Sequence, residues 1–165
     1  MPSFDADDGQ DGGMVKLAGG ASPVLCLKPD DIFVGLTAEI EQCVERQHVD
    51  QFAALTGDVS PIHMDDGAAR ERGFEGRVVH GMLIGGFISR LFGLRLPGLD
   101  CILQSINLRW IEPLYIGDTI RIQATVAQWS SAAEVFVANV EVIRPRTQTI
   151  VAKGKVQAGF TRSRT

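Results

Sequence analysis

The sequence predicts an α+β domain in which a curled antiparallel sheet wraps one central apolar helix. Two observations carry this. From Gly81 to about Leu94 the chain reads as a helix whose residues Met82, Leu83, Ile84, Phe87, Ile88, Leu91, Phe92 and Leu94 leave only Ser89 and Arg90 strongly polar. Nearly every side of such a helix needs cover. After it come four segments in which apolar and polar residues alternate with the period of two that marks a strand with one wet face. A sheet with one apolar face and a helix apolar all round are complementary layers.

In chain order, 165 residues amount to one domain. Residues 1–22 carry Asp5, Asp7, Asp8 and Asp11 among glycines and lack a basic or long apolar run, which predicts a disordered acidic tail rather than a secretory signal. The folded domain is expected over 23–161, with 162–165 a frayed C-terminus. Leu36, Ala38, Ile40 and Val44 alternate with Thr37, Glu39, Glu41 and Glu45 as a first strand. A short helix follows from about Val49 to Thr56, with Val49, Phe52, Ala53 and Leu55 on one side. It closes at Gly57, the residue type that most easily takes the left-handed turn after a helix. His48 precedes it and is expected to be exposed.

The span from Asp58 to His63 is expected to be irregular but stiff, because Pro61 fixes its own φ and pushes Ser60 towards an extended conformation. Asp58 and His63 can then face one another, an arrangement suited to proton transfer. A helical turn from about Gly67 to Arg72, capped by Asp65 or Asp66, precedes the main helix. Within that helix Gly85 and Gly86 each cost about 1 kcal/mol relative to Ala, so they predict close approach of the sheet, another backbone or a ligand. His80, at its mouth, reads as structural.

The strands are centred on Ile106, Leu108 and Trp110; on Ile120, Ile122, Ala124 and Val126; on Phe136, Ala138, Val140 and Val142; and on Ile150, Ala152, Val156, Ala158 and Phe160. Turns at Gly117-Asp118, Ser130-Ser131 and Pro145-Arg146 predict a four-strand meander. Such a sheet leaves an exposed edge and an incompletely covered helix, which a homodimer continuing the sheet would answer.

Composition excludes several classes. A formal charge of -4 predicts no nucleic-acid partner, and the longest apolar run, Met82 to Ile88, is far short of a membrane span. Cys26, Cys43 and Cys101 are an odd number at wide spacing, which argues against disulfides and a zinc site and predicts three buried thiols in a reducing cytoplasm.

Phe52-Ala-Ala-Leu-Thr-Gly-Asp58-Val-Ser-Pro-Ile-His63 and Val79-His-Gly81-Met together resemble the signature of the MaoC-like (R)-specific enoyl-CoA hydratases of the hot dog fold, Gly-Asp-x-Asn-Pro-(aliphatic)-His followed downstream by His-Gly-Met. The resemblance covers roughly residues 36 to 160. It implies hydration of a trans-2-enoyl-CoA to the (R)-3-hydroxyacyl-CoA, with Asp58 polarising a water, His63 sharing that water's protons, and the backbone N–H of Gly81 receiving the thioester oxygen. Elementary physics agrees on Gly81, because the first N–H groups of a helix lack internal acceptors and sit at the positive end of its dipole. Ser60 stands where the family usually has Asn, and keeps a hydroxyl that donates and accepts. Ser89 and Phe92 lie about 12 and 16 Å down the helix at 1.5 Å per residue, so they are candidates for the acyl pocket, with Phe92 limiting it to short groups such as crotonyl. No metal or redox cofactor is expected, CoA being part of the substrate. Three alternatives stand beside this reading: a dehydratase for acyl-carrier-protein thioesters, a hot dog thioesterase, and a non-catalytic acyl-thioester-binding partner.

Overall fold

The computed structural model describes residues 24–161; the tail expected over 1–22 and the end expected over 162–165 lie outside the described residues. A 3-10 turn at Pro29–Asp31 leads into β1 (Thr37–Cys43), α1 (Arg46–Thr56), α2 (Pro61–Met64), α3 (Asp66–Arg70), α4 (Gly81–Arg95), β2 (Cys101–Trp110), β3 (Thr119–Ser130), β4 (Val135–Arg144) and β5 (Thr149–Phe160). All five strands form one antiparallel sheet in the order β1-β3-β4-β5-β2, with α4 against its apolar face. This is the antiparallel sheet on one apolar helix expected from the periodicities, and the hot dog arrangement that the resemblance implies. The core joins Ile84, Ile88, Leu91 and Phe92 of α4 to Ile120, Ile122, Phe136, Val140, Val142 and Val156 of the sheet.

The expected four-strand meander is corrected to three. β2 pairs with β5, from Cys101↔Phe160 to Trp110↔Ala152, while β1 pairs with β3 from Thr37↔Thr125 to Cys43↔Thr119. Once β1 occupies the free edge of β3, β2 can join the sheet only at β5, so residues 111–118 carry the chain across from one edge towards the other. Gly117 is therefore not a hairpin turn, although its φ of 95° is left-handed and its N–H bonds Val44 O at 2.7 Å beside the end of β1. On β5 the register shifts between Val142↔Ala152 and Ile143↔Ile150. The bulge turns both Val151 and Ala152 inward, leaving Ile150 half-buried.

Further expectations change in detail. α1 begins at Arg46, where the Glu45 N–H donates to His48 Nδ1 at 2.9 Å; His48 is thus a half-buried member of the first turn rather than an exposed residue before it. Leu55 is 85% exposed: at 3.6 residues per turn it sits about 120° around the helix from Val49, off the stripe made by Val49, Phe52 and Ala53. Asp58 to His63 is not wholly irregular, because Pro61 starts the short α2, the position where a missing N–H and a preset φ suit a helix. α4 is covered on one side only, with Met82, Gly86, Ser89, Arg90 and Gly93 exposed. Only the Met82 side chain, with Cε at 3.3 Å and Sδ at 3.9 Å, nears a Cβ built on Gly85, and Gly86 faces open space, so neither glycine is explained by a close approach within the chain. Cys26 and Cys43 are exposed and Cys101 is half-buried, all three free; of the three thiols expected to be buried, only Cys101 packs against the core. Among the described residues no helix is long and apolar enough to cross a membrane.

Candidate active site

Gly57, with φ 76°, ends α1 and donates to Ala53 O at 2.8 Å, turning the chain so that Asp58 leaves the helix. The Asp58 carboxylate is half-exposed and its Oδ1 accepts the Ser60 N–H at 3.3 Å, closing a small turn. Ser60 is extended at ψ 134°, as the residue before proline should be. His63 then sits in the only full turn of α2.

That turn is held by residues 77–79. Val78 N donates to Ile62 O at 2.9 Å, and His63 Nδ1 lies 2.7 Å from Val78 O. A carbonyl only accepts, so the Nδ1–H donates to it, and in the neutral ring it is Nε2 that holds the lone pair. His80, the cap residue of α4, is buried at 2% exposure; by the same reasoning its Nε2–H donates to Asp58 O at 3.0 Å, and lies 4.0 Å from Asp58 Oδ2. The His80 ring stacks on His63, centroids 3.9 Å apart, and tilts against Phe52 at 4.9 Å. Its Nδ1 is buried without a hydrogen-bond partner. One polar atom from each of Asp58, His63 and His80 lies within 4.8 Å of the others. An Asp and two His are also a donor set for a divalent ion, but the nitrogen that His80 turns to Asp58 is already committed to a backbone carbonyl.

Arg77 supplies the remaining anchor. It is buried at 5% exposure, its Nε donates to His63 O, its guanidinium pairs with Asp50 on α1, and its backbone N–H bonds Asp66 Oδ1 at 2.8 Å. One side chain thereby ties α1 to the carbonyl of His63.

A cavity of about 310 Å³ opens beside this cluster, lined by His63, Val78, Val79, Gly81 and Ile84 on one side and by Trp110 to Leu114 on the other. The first residue of α4, Gly81, thus shares a cavity with His63. A Cβ at Gly81 would lie 2.8 Å from the Trp110 indole, which only glycine permits. Ser60 is half-buried next to Asp58. Ser89 and Phe92 do not join the site. Ser89 is exposed on α4, and Phe92 is fully buried against Phe136, centroids 6.2 Å apart. Neither residue lines this cavity, whose α4 lining ends at Ile84.

The family model for the MaoC like domain matches residues 34–152 of this chain. The chain belongs to the MaoC-like dehydratase family. It is 36% identical over 97 residues to an (R)-specific enoyl-CoA hydratase of Rhodospirillum rubrum, covering 59% of this chain and 67% of that one. It is 29% identical over 114 residues to a mitochondrial 3-hydroxyacyl-[acyl-carrier-protein] dehydratase of Arabidopsis thaliana, covering 68% of each. The aligned segments span about two thirds of the length of such curated relatives, between 63% and 68%. Among solved structures, an unliganded (R)-hydratase from Pseudomonas aeruginosa superposes with a TM-score of 0.79 at 26% identity, covering 86% of this chain and 90% of that one. In this MaoC-like chain, periodicity and motif order left out Arg77, the contact of His80 with Asp58, and Trp110. A lone arginine in the run Gly76-Arg-Val-Val79 and a tryptophan closing a strand were the available signals.

Proposed function

We propose that this MaoC-like protein is a hydro-lyase that adds water to a trans-2-enoyl-CoA, giving the (R)-3-hydroxyacyl-CoA, and runs the reverse dehydration. One observation carries the reading: the Asp58 carboxylate and the His63 imidazole converge, and His63 lines a cavity that also contains the N-terminus of α4 at Gly81. A water between the carboxylate and the unprotonated Nε2 of His63 is polarised by both. Its oxygen bonds to C3, one of its protons passes to the dyad, and a proton returned from the dyad completes C2. During the addition the charge that gathers on the thioester oxygen is met by the Gly81 N–H and the positive end of the 15-residue α4. Each step is a proton transfer or an addition with no net oxidation, so the reading calls for no redox cofactor, and with the Gly81 N–H and the helix end meeting the oxygen's charge it invokes no metal.

The lining leaves α4 at Ile84, three residues or about 4.5 Å beyond Gly81, which supports a short acyl group. The exposed edge of β2 and the bare side of α4 support a homodimer, and the three free cysteines a reducing compartment such as the cytoplasm. The carrier is CoA in this reading. Acyl-carrier-protein thioesters present the same reacting atoms, and the Arabidopsis relative supports them as the second reading.

The test is hydration of crotonyl-CoA, followed by loss of the conjugated enoyl absorbance and chiral analysis of the product. The (R)-3-hydroxy product is expected, and the double variant Asp58→Asn, His63→Ala should abolish its formation. Hydration unaffected by the double variant would defeat the mechanism. Release of free thiol instead would make the protein a thioesterase, and binding without turnover a non-catalytic partner.

A further inference from the structure

The indole of Trp110 lines the cavity and has no part in the dyad mechanism. It ends β2, paired with Ala152 of β5, and is 45% exposed. Its atoms closest to Gly81 are Cε2 and Nε1, both 2.8 Å from where a Cβ of residue 81 would stand. The ring edge that bears the N–H therefore lies on the start of α4. An indole N–H only donates, and no hydrogen bond engages this one among the described residues. It thus stands as a donor without a protein acceptor, in the same cavity as His63 and the first N–H of a long helix.

We infer that Trp110 Nε1–H is a second donor to the thioester oxygen, working beside the Gly81 N–H. The inference rests on the proposed placement of that oxygen at Gly81. Standard backbone geometry puts the built Cβ about 2.5 Å from the Gly81 nitrogen, so the two nitrogens are at most about 5.3 Å apart. A single oxygen at about 2.9 Å from each can span up to about 5.8 Å, so the spacing lets one acceptor meet both. Two donors from different elements, a helix end and a strand end, fix the carbonyl in direction as well as in depth. This also gives Gly81 a second reason to be glycine: any side chain there would push the indole off the oxygen's position.

Two measurements test it. The chain has two tryptophans, so 15N-labelled protein shows two indole N–H signals, and Trp110→Phe identifies the one from residue 110. Butyryl-CoA, a saturated thioester that cannot be hydrated, should move that signal downfield, whereas free CoA should not. Trp110→Phe keeps the ring and removes the N–H, and should lower kcat on crotonyl-CoA on the order of 10 to 100-fold with KM within threefold. One oxyanion donor typically brings 100 to 1000-fold, reduced here by the exposure of the ring. An indole signal unmoved by saturating butyryl-CoA, or a kcat within threefold of wild type, would overturn the assignment. Wild-type protein without hydratase activity would instead sink the functional reading. The indole signal would then decide alone, its movement with butyryl-CoA supporting the donor and its stillness refuting it.

Discussion

Replacing Arg77 by Ala should damage stability and activity together, because this buried side chain holds the backbone of His63 rather than a remote part of the fold. Arg77 is 5% exposed, and its Nε–H is a charged donor to the His63 carbonyl; bonds of this kind contribute about 1.5–3 kcal/mol. Its ion pair with Asp50 adds less, about 0–1 kcal/mol, since the Asp50 side chain is 45% exposed and stays hydrated when its partner leaves. A loss of roughly 3 kcal/mol results, which in a domain of this size lowers Tm by roughly 6 to 12 °C. The freed carbonyl lets the turn of α2 drift from Val78, and if His63 acts as proposed, its displacement by about 1 Å costs on the order of 100-fold in rate. Calorimetry and the crotonyl-CoA assay, run on Arg77→Ala and on Arg77→Met, which keeps the apolar stem, separate lost packing from the lost donor. Both variants should be impaired. An Arg77→Ala protein that melts within 2 °C of wild type and hydrates at the wild-type rate would refute the reasoning.

Three further outcomes follow from the packing. Phe92→Ala removes a fully buried ring stacked on Phe136 and should cost about 3–5 kcal/mol in chemical denaturation. Gly154→Ala would put a Cβ 1.9 Å from Asn107 O in the neighbouring β2 and should destabilise by about 3 kcal/mol or more through separation of the two strands, seen as faster amide exchange along both. Burial pushes the Cys101 thiol up to about 11. At pH 8 its thiolate fraction is then roughly 200-fold below that of a thiol with the ordinary pKa of about 8.5. A disulfide reagent at that pH should label Cys101 last of the three cysteines, and its labelling should accelerate as pH rises towards 11.

How much of this was legible in the chain differs element by element. α4 was legible to within a residue because an all-apolar helix interior and the His80-Gly81 entry are local signals. The strands β3, β4 and β5 were legible because two-residue alternation with turns between them is also local. The pairing of β2 was not. Its alternation suits either neighbour, and the occupant of the free edge of β3 is a strand about sixty residues upstream of β2. That Ser89 and Phe92 stand clear of the cavity beside His63 was not legible, because helical rise measures distance along α4 but not which side of it meets that cavity.

By itself the sequence determined that Asp58 and His63 flank a proline-stiffened bend, that a glycine opens a long apolar helix, and that a curled sheet must cover that helix. These follow from backbone conformation and from burial of apolar stripes, which act over a few residues. Only the tertiary structure decided that His80 stacks on His63, that Arg77 ties the His63 carbonyl to α1, and that Trp110 reaches Gly81 from β2. Each of these contacts joins segments brought together by strand order and side-chain direction, which the periodicity of no single segment records.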